Sequence, residues 1–273
     1  MTDALDEAGF DALTQKISRE RGFGCASYKE KCLRRRIAVR MRARGMHTFR
    51  DYARLLDADP HEYDRLLDAL TINVTKLFRN PEVFAAIAER VVPALWDSTA
   101  PAIRVWSAGS SSGEEPYSLA VLFHRHAASR GELGRLSRVR VLGTDIDRDS
   151  LTRAARGEFE EVAFADTAPE LRRRYFSPSG PPFRVSDEVR ALVSFERRDL
   201  LREPPPPGPF QLVTCRNVII YFDRGTQEEL FERFHHALTP GGFLVLGKVE
   251  TLLGRARTMF QVVDARERIF RKL

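Results

Sequence analysis

The feature that most constrains the fold of this chain is a regular alternation of short apolar runs and helix-like segments from about residue 101 onward. The strand candidates are "AIRVWSA", "RVRVLGTDI", "ALVSFERRD", "FQLVTCR" and "GGFLVLGKV". The segments "PYSLAVLFHRHAA" and "RGTQEELFERFHHAL" lie between strand candidates and are typical of helices. Short apolar strands that alternate with helices predict a parallel, doubly wound α/β sheet covered on both faces.

The first 70 residues show no convincing strand pattern and are expected to be helical. In "YKEKCLRRRIAVRMRARG", Leu33, Ile37 and Met41 recur at helical spacing. The segment "TFRDYARLLDADPHEYDRLLDAL" is predicted to form two helices that divide at Asp59-Pro60, because a residue before proline avoids the helical region. We therefore expect three parts: a helical domain over 1–70, linker helices over 71–100 and an α/β domain over 101–273.

The composition excludes several classes of protein. The chain has 273 residues, of which 43% are apolar and 30% charged, as in ordinary folded proteins. It has no run of eighteen apolar residues and no basic, apolar leader, so we expect a cytoplasmic protein without membrane insertion. Cys25, Cys32 and Cys215 are too few and too irregularly spaced for a disulfide framework or a zinc site, and no metal is expected.

The loop that follows the first predicted strand, Ser107 to Gly113, is the expected ligand site, because ligands of open parallel sheets bind beyond the carboxyl ends of the strands. A phosphate-binding loop would continue with Lys after its last glycine, but Gly113 is followed by Glu114 and Glu115. Two acids in a first helical turn disfavour a phosphate. S-adenosylmethionine has no phosphate and carries positive charges, so we predict it as the cofactor, with Glu115 facing it and Glu114 serving the helix dipole.

Further polar residues follow other predicted strands. Asp145 ends the second strand and is placed to accept hydrogen bonds from ribose hydroxyls, in preference to its neighbour Asp147. Asp199 and Asn217 come just after two later strands. Both suit recognition of the adenine amino edge or closure of the cleft, but each of them taken singly is more typical of a loop cap.

Several motifs together resemble one known family. The stretches "TINVTKLFRNPEVF", "VWSAGSSSGEEPYSLA", "TDID", "DLL", "CRNVIIYFD" and "LTPGGFLVLGKVE" occur in this order. From about Tyr28 to the C-terminus the chain is similar to the CheR-type chemotaxis-receptor methyltransferases, which esterify receptor glutamates with S-adenosylmethionine and leave S-adenosylhomocysteine. The resemblance implies a helical N-terminal domain that docks the substrate, a class I (Rossmann-like) methyltransferase domain, and a small antiparallel β-subdomain at about 175–195.

The resemblance also implies the site residues. The family's cofactor contacts fall on Asn73, Thr75, Arg79, Glu115, Asp145, Asp199, Leu200, Asn217 and Val218. Arg79 and Tyr221 match residues that border the reactive methyl group and the incoming carboxylate, so we assign them to catalysis; without the resemblance, Tyr221 in "VIIYF" would be read as core packing. The chain departs from the family at Asp199, where Asn is common, and at "GKVE", which replaces "GHSE".

The basic segment from Tyr28 to Arg50, with nine Lys and Arg against the single acid Glu30, predicts a negatively charged partner. We expect it to dock the glutamate-rich signalling helices of chemoreceptors. The residues assigned to docking are Arg35, Arg36, Arg40, Arg42 and Arg44. The loop "YFSPSGPPFRV" is shorter than in relatives whose β-subdomain grips a receptor tail peptide, so tethering to such a tail is not expected.

A nucleic-acid methyltransferase and a non-catalytic regulator are the two alternative functions. An RNA or DNA methyltransferase would carry an N-P-P-[YF] motif after the fourth strand, and "CRNVIIYF" occupies that place, so no nucleic-acid partner is expected. A regulator that binds the cofactor without catalysis is disfavoured by the presence of Arg79, Glu115, Asp145 and Tyr221 together.

Overall fold

A computed structural model describes residues 2–71 and 75–273 of the chain. The described residues form two compact units. The first contains the described residues up to 71 together with the segment 221–226, and the second contains residues 75–220 and 227–273. None of the helices in these described ranges is long and apolar enough to cross a membrane.

The first unit is built from four helices, as the sequence predicts for this region. They are α1 (Thr2–Arg21), α2 (Glu30–Ala43), α3 (Phe49–Ala58) and α4 (Pro60–Leu70). The helices α3 and α4 divide at Asp59-Pro60, where the Asp59 side chain accepts a hydrogen bond from the backbone N–H of Glu62 and Pro60 is the first helical residue. The predicted apolar stripe of Leu33, Ile37 and Met41 is buried in the core of this unit.

Within residues 75–273, seven strands form one sheet. Its strands are β1 (Ile103–Ala108), β2 (Val139–Asp145), β5 (Val193–Arg197), β6 (Phe210–Cys215), β7 (Leu238–Leu246), β8 (Phe260–Asp264) and β9 (Ile269–Lys272). Their order in the sheet is β5-β2-β1-β6-β7-β9-β8. The strands β5, β2, β1, β6 and β7 are parallel, whereas β9 and β8 are antiparallel and form a C-terminal hairpin. The α/β fold class predicted from the alternating pattern is confirmed.

The remaining helices surround this sheet or connect its strands. They are α5 (Pro81–Ala86), α6 (Val92–Trp96), α7 (Glu114–Ser129), α8 (Arg148–Arg156), α9 (Pro169–Tyr175), α10 (Asp187–Arg190), α11 (Arg224–Ala237) and α12 (Ala256–Met259). Helix α7 links β1 to β2 and is buried along most of its length, because it packs on the sheet in the main core of this unit.

A second, small antiparallel sheet joins β3 (Glu158–Phe159) to β4 (Phe183–Arg184). One strand lies within the expected range of 175–195 and the other lies upstream of it. Edge-to-face contacts hold this sheet to its surroundings: the ring of Phe164 lies 4.8 Å from that of Phe176 and 5.3 Å from that of Phe183.

The order of the large sheet decides where the functional residues meet. Because β5, β2, β1 and β6 are adjacent and parallel, their carboxyl ends lie at one edge, at a spacing of about 4.8 Å between neighbours. Asp145 ends β2, and the segments that follow β1, β5 and β6 carry Glu115, the pair Asp199 and Leu200, and the pair Asn217 and Val218. This edge of the second unit is the candidate site.

A candidate cofactor cleft at the carboxyl ends of the strands

The loop after β1 uses its own backbone N–H groups internally. Gly109 and Ser110 both donate to the carbonyl of Thr144, at 2.8 and 2.9 Å, and Ser111 donates to Asp145 Oδ2 at 2.7 Å. A phosphate-binding loop offers such groups to its ligand. The loop therefore favours a ligand without a phosphate, in agreement with the prediction from Glu114 and Glu115.

Two glycines of this loop are required by close approaches. Gly109 has φ of +80°, and a Cβ atom on it would lie 2.5 Å from Cγ2 of Val218. Gly113 has φ of +96°, and a Cβ atom there would meet Ala154 and Phe195 at 2.9 and 3.0 Å. The absence of a side chain at Gly109 lets the loops after β1 and β6 pack closely against each other at this edge of the sheet.

Asp145 braces the loop after β1 and keeps acceptor capacity. Its carboxylate accepts the N–H of Ser111 on Oδ2 and that of Asp147 on Oδ1, the latter at 3.0 Å. Burial raises the pKa of Asp145 by more than these N–H groups lower it. A carboxylate has about four acceptor positions, so hydroxyl donors can still be bound. Its neighbour Asp147 caps α8 through the N–H groups of Asp149 and Ser150, which makes Asp145 the better candidate for a ligand.

Glu115 lies in the first turn of α7 and is held by three side chains. Its Oε1 accepts from Ser107 at 2.8 Å and from Thr214 at 2.5 Å, and its Oε2 accepts from Arg216 at 3.1 Å. The negative charge that we expected to face a cationic cofactor is therefore shared with Arg216. One acceptor position of Oε2 is left for a further donor.

Glu114 does more than complement the helix dipole. It is 6% exposed, and Ser112 and Thr75 form side-chain hydrogen bonds to it. Burial raises the pKa of Glu114 in spite of these hydrogen bonds. Thr75, a predicted cofactor contact, is thus found next to Glu114. Asn73, another predicted contact, lies outside the described residues.

Asp199 follows β5 and caps the turn that begins there. Its Oδ1 accepts from the N–H groups of Leu201 and Arg202, at 2.9 and 3.3 Å. The carbonyl of Leu200 accepts from Arg233 at 3.2 Å. The loop-cap role that the sequence left open for Asp199 is therefore present, and its contact with the cofactor stays a prediction.

Asn217 and Val218, after β6, are fixed by a residue that the sequence did not reveal. Glu250 is 3% exposed and accepts the N–H of Asn217 at 3.1 Å, that of Val218 at 3.0 Å and that of Gly247 at 2.5 Å. Burial raises the pKa of Glu250 more than these N–H groups lower it. This holds Asn217 in the left-handed region, at φ of 61°.

Glu250 is the last residue of "GKVE", the motif that departs from the family's "GHSE". The two replaced positions face outward: Lys248 pairs with Glu82 at 3.0 Å, and Val249 is 75% exposed. The acid that both versions share is the one that holds the loop. An isolated acid just after an apolar strand was the signal that could have found it.

Arg79 lies in a loop that packs against the start of α7. The N–H of Phe78 donates to Ser118 Oγ at 2.9 Å, and the carbonyl of Arg79 accepts from Arg216 Nη2 at 2.7 Å. Arg216, like Glu250, was missed from the sequence. Its position directly after a buried strand, in a motif that was singled out, was the available signal.

Tyr221 belongs to the helical unit. The guanidinium of Arg36 lies 4.2 Å from the centre of its ring, and its carbonyl accepts the N–H of Lys29 at 2.9 Å. Its assignment to the reacting groups stays a prediction.

The basic segment divides into inward and outward arginines, which corrects part of the docking prediction. Arg36 is 5% exposed and donates to the carbonyl of Leu70, so it is not a surface residue. Arg40 and Arg44 bind the buried carboxylate of Glu62, at 2.6 and 3.2 Å. These three arginines lie beside the apolar stripe of α2, and packing of α2 on α4 brings them to Glu62 and Leu70. Arg35 and Arg42 are exposed.

The cleft residues fit the predicted cofactor. The available acceptors Glu115 and Asp145 suit hydroxyl and ammonium donors. The N–H groups of Gly109, Ser110 and Ser111, in the loop after β1, already donate to protein acceptors. Among the residues that the structure describes, no group of three His, Cys, Asp or Glu side chains is arranged to hold a metal ion.

Two family profiles match consecutive parts of the chain. The profile described as "CheR methyltransferase, all-alpha domain" matches residues 8–71. The profile described as "CheR methyltransferase, SAM binding domain" matches residues 73–269. Together they cover the helical part and the α/β part, in that order.

Individual relatives match over most of the chain. A "Chemotaxis protein methyltransferase" of Klebsiella aerogenes is 35% identical over 263 residues, which cover 94% of this chain and 87% of the relative. The protein of the same name in Escherichia coli K12 is 34% identical over 254 residues, which cover 90% of this chain and 85% of the relative. An "Uncharacterized 104.1 kDa protein" of Rhodobacter capsulatus is 37% identical over 248 residues, but this chain spans 26% of that protein's length.

Proposed function

We propose that this chain, which belongs to the CheR methyltransferase family, methylates glutamate side chains of chemoreceptors and leaves S-adenosylhomocysteine as its second product. It is a methyltransferase, and S-adenosylmethionine is its cofactor. The observation that carries the proposal is the match of both parts of the chain to a family whose curated relatives are named chemotaxis protein methyltransferases. Because the proposed acceptors lie on cytoplasmic helices of receptors, we place the protein in the cytoplasm.

The cofactor supplies a methyl group bonded to a positively charged sulfur atom. We assign its binding to the edge of the sheet, where acidic acceptors and tightly braced loops support it. The assigned residues are Asn73, Thr75, Arg79, Glu115, Asp145, Asp199, Leu200, Asn217 and Val218. Glu250 supports two of them by holding the loop after β6.

The reaction asks little acid–base chemistry of the protein. A glutamate carboxylate is already ionised at neutral pH, so its oxygen attacks the methyl carbon without a general base. Water bound to that carboxylate weakens it as a nucleophile, so the protein must align the oxygen and exclude water. A carbon–oxygen bond forms as the carbon–sulfur bond breaks, and both products are neutral at the reacting atoms.

We assign Arg79 to orienting the carboxylate and the Tyr221 hydroxyl to donating to its non-reacting oxygen. The charge on the acceptor disappears in the reaction, so Arg79 serves best as a loose partner. Arg79→Ala is expected to lose methyl transfer and to keep much of the affinity for the cofactor. An equal loss of both would reassign Arg79 to the cofactor.

Docking of the receptor is assigned to the outward arginines of α2, Arg35 and Arg42. An acidic helix attracted to such a face associates faster at low ionic strength. The small sheet supports the expectation that no receptor tail is needed, because β4 contributes two residues to it. Micromolar binding of a receptor C-terminal peptide would contradict that expectation.

Methyl-labelled cofactor and receptor cytoplasmic fragments test the proposed function directly. We expect label on the receptor that alkali releases as methanol, since a glutamyl methyl ester is hydrolysed by base. Alkali-stable label on RNA or DNA would identify a nucleic-acid methyltransferase. Tight binding of the cofactor without transfer to any acceptor would identify a regulator.

A further inference from the structure

One guanidinium joins two parts of the cleft to which separate roles were assigned. Arg216 follows β6, and its side chain is 2% exposed. Nη1 donates to Glu115 Oε2 at 3.1 Å, and Nη2 donates to the carbonyl of Arg79 at 2.7 Å and to Asn80 Oδ1 at 3.3 Å. The ring of Phe84 lies 5.1 Å from the guanidinium carbon and packs against it.

The segment that Arg216 holds has an unusual backbone. Phe78 and Asn80 both lie in the left-handed region, with φ of 53° and 60°. Residues other than glycine persist there when surrounding contacts determine the conformation. The Phe78 N–H to Ser118 contact fixes one end of this segment, and Arg216 fixes the other. The point from which the Arg79 side chain starts is thereby set.

A purely stabilising role is a poor explanation for this arginine. A buried ion pair contributes little net stability, because removing both charges from water costs about as much as their attraction returns. In the described part of the chain, the Nε of Arg216 has no hydrogen-bond partner, which adds to that cost. What the guanidinium does provide is a fixed geometry, since its planar fork reaches two acceptors at once.

We propose that Arg216 is a positioning residue for methyl transfer, which holds the Glu115 carboxylate and the Arg79–Asn80 backbone in fixed relation to each other. This inference rests on the proposed function, because it takes Glu115 as a cofactor contact and Arg79 as the residue that orients the acceptor. Arg216 acts through these two residues and not on the reacting atoms.

Arg216→Lys separates the two links. A lysine keeps a positive charge for Glu115, but its single ammonium cannot reproduce the two-acceptor fork. We expect the dissociation constant for S-adenosylhomocysteine, measured by titration calorimetry, to stay within about threefold of wild type, while kcat falls about 10- to 100-fold. Arg216→Met removes both links, and we expect the cofactor affinity to fall about tenfold in addition.

Arg138→Lys is the matched control. Arg138 belongs to the same unit, and its guanidinium also donates to backbone carbonyls, those of Trp96 and Leu95. It touches none of the cleft loops in these contacts, so we expect a lower thermal midpoint with unchanged cofactor affinity and kcat.

The outcomes distinguish the inference from the proposed function. Wild-type kcat and affinity in Arg216→Lys, or losses in both Arg216 variants that only follow the thermal midpoint, would overturn the positioning role. If Arg216→Met does not fold, the affinity and kcat of Arg216→Lys decide the question. If the wild-type protein binds S-adenosylhomocysteine but methylates no receptor, the proposed function fails. The inference about Arg216 then depends on binding alone. It fails as well if wild type and both Arg216 variants bind S-adenosylhomocysteine with equal affinity.

Discussion

Glu62 in the helical unit and Glu250 in the α/β unit are both almost completely buried, but they are bound in different ways. Glu62 accepts from the guanidinium groups of Arg40 and Arg44 and from the hydroxyl of Tyr52. Glu250 accepts from the backbone N–H groups of the loops that carry Asn217 and Gly247. The first glutamate ties helices together through side-chain charges, and the second shapes the backbone of a ligand site through peptide dipoles.

The same difference appears in their pKa values. Burial acts to raise the pKa of Glu62, but the hydrogen bonds of Arg40 and Tyr52 and the nearby charges outweigh it and lower the pKa. For Glu250, burial outweighs the N–H groups and the pKa is raised. The cations around Glu62 therefore offset the cost of its burial, whereas the N–H groups around Glu250 offset that cost only in part. An acid bound by backbone dipoles carries a cost that is consistent with service to a site.

The largest effect is expected for Glu250→Gln. In the variant, the amide –NH₂ group would face backbone N–H groups that now donate to the carboxylate, and it cannot accept their hydrogen bonds. The free energy of unfolding should therefore fall by about 3 kcal/mol. Both tryptophans, Trp96 and Trp106, are buried in the α/β unit, so urea unfolding followed by their fluorescence reports this loss. A fluorescence midpoint equal to that of wild type would show that Glu250 does not hold the loop.

Glu62→Gln should lower the free energy of unfolding somewhat less, by about 2 kcal/mol, because Arg40 and Arg44 are partly exposed and can turn toward water. The loss belongs to the helical unit. It should therefore move the circular dichroism transition more than the tryptophan transition. Equal shifts of the two transitions would contradict the separation of roles between the units.

The pH dependence of these two losses should have opposite signs. The pKa of Glu250 is raised, so its contribution to the stability of the fold is fully present below the ordinary Glu pKa of about 4.3. That contribution is lost as the pH rises through the pKa of Glu250 in the folded protein. The contribution of Glu62, whose pKa is lowered, is present above about 4.3 and is lost as the pH falls through its folded pKa. Relative to wild type, Glu250→Gln should lose less stability at pH 7 than at pH 4, and Glu62→Gln should lose more. Urea titrations of both variants at the two pH values check this, and parallel trends would refute it.

The smallest effect on stability is expected for the outward arginines. Replacing Arg35 and Arg42 together with Ala should change the free energy of unfolding by less than about 0.5 kcal/mol, since both are exposed. It should instead slow receptor methylation at low salt and make the rate less sensitive to ionic strength. Lys248→Ala, at an exposed ion pair of the α/β unit, is the matched control and should leave the salt dependence unchanged. Unaltered salt dependence in the double variant would remove α2 from receptor docking.

The sequence predicted what depends on local pattern. Periodicity and glycine chemistry predicted the strand that ends at the turn of Gly109, and proline chemistry predicted the division of the helices at Asp59-Pro60. The topology of parallel sheets placed the acids at one edge of the sheet. It did not predict which arginines of α2 face inward, because that depends on Glu62 from another helix. Glu250 and Arg216 were missed for the same reason: their partners are backbone groups and side chains that only the folded sheet brings within hydrogen-bond distance.

Titration of S-adenosylhomocysteine into wild type, Glu250→Gln and Glu62→Gln, at a temperature where all three are folded, tests the division of roles most directly. The account predicts about tenfold weaker binding for Glu250→Gln, because Asn217 and Val218 lose the carboxylate that places them. It predicts wild-type affinity for Glu62→Gln in spite of its lower stability. Wild-type affinity in Glu250→Gln, or an equal loss in both variants, would contradict it.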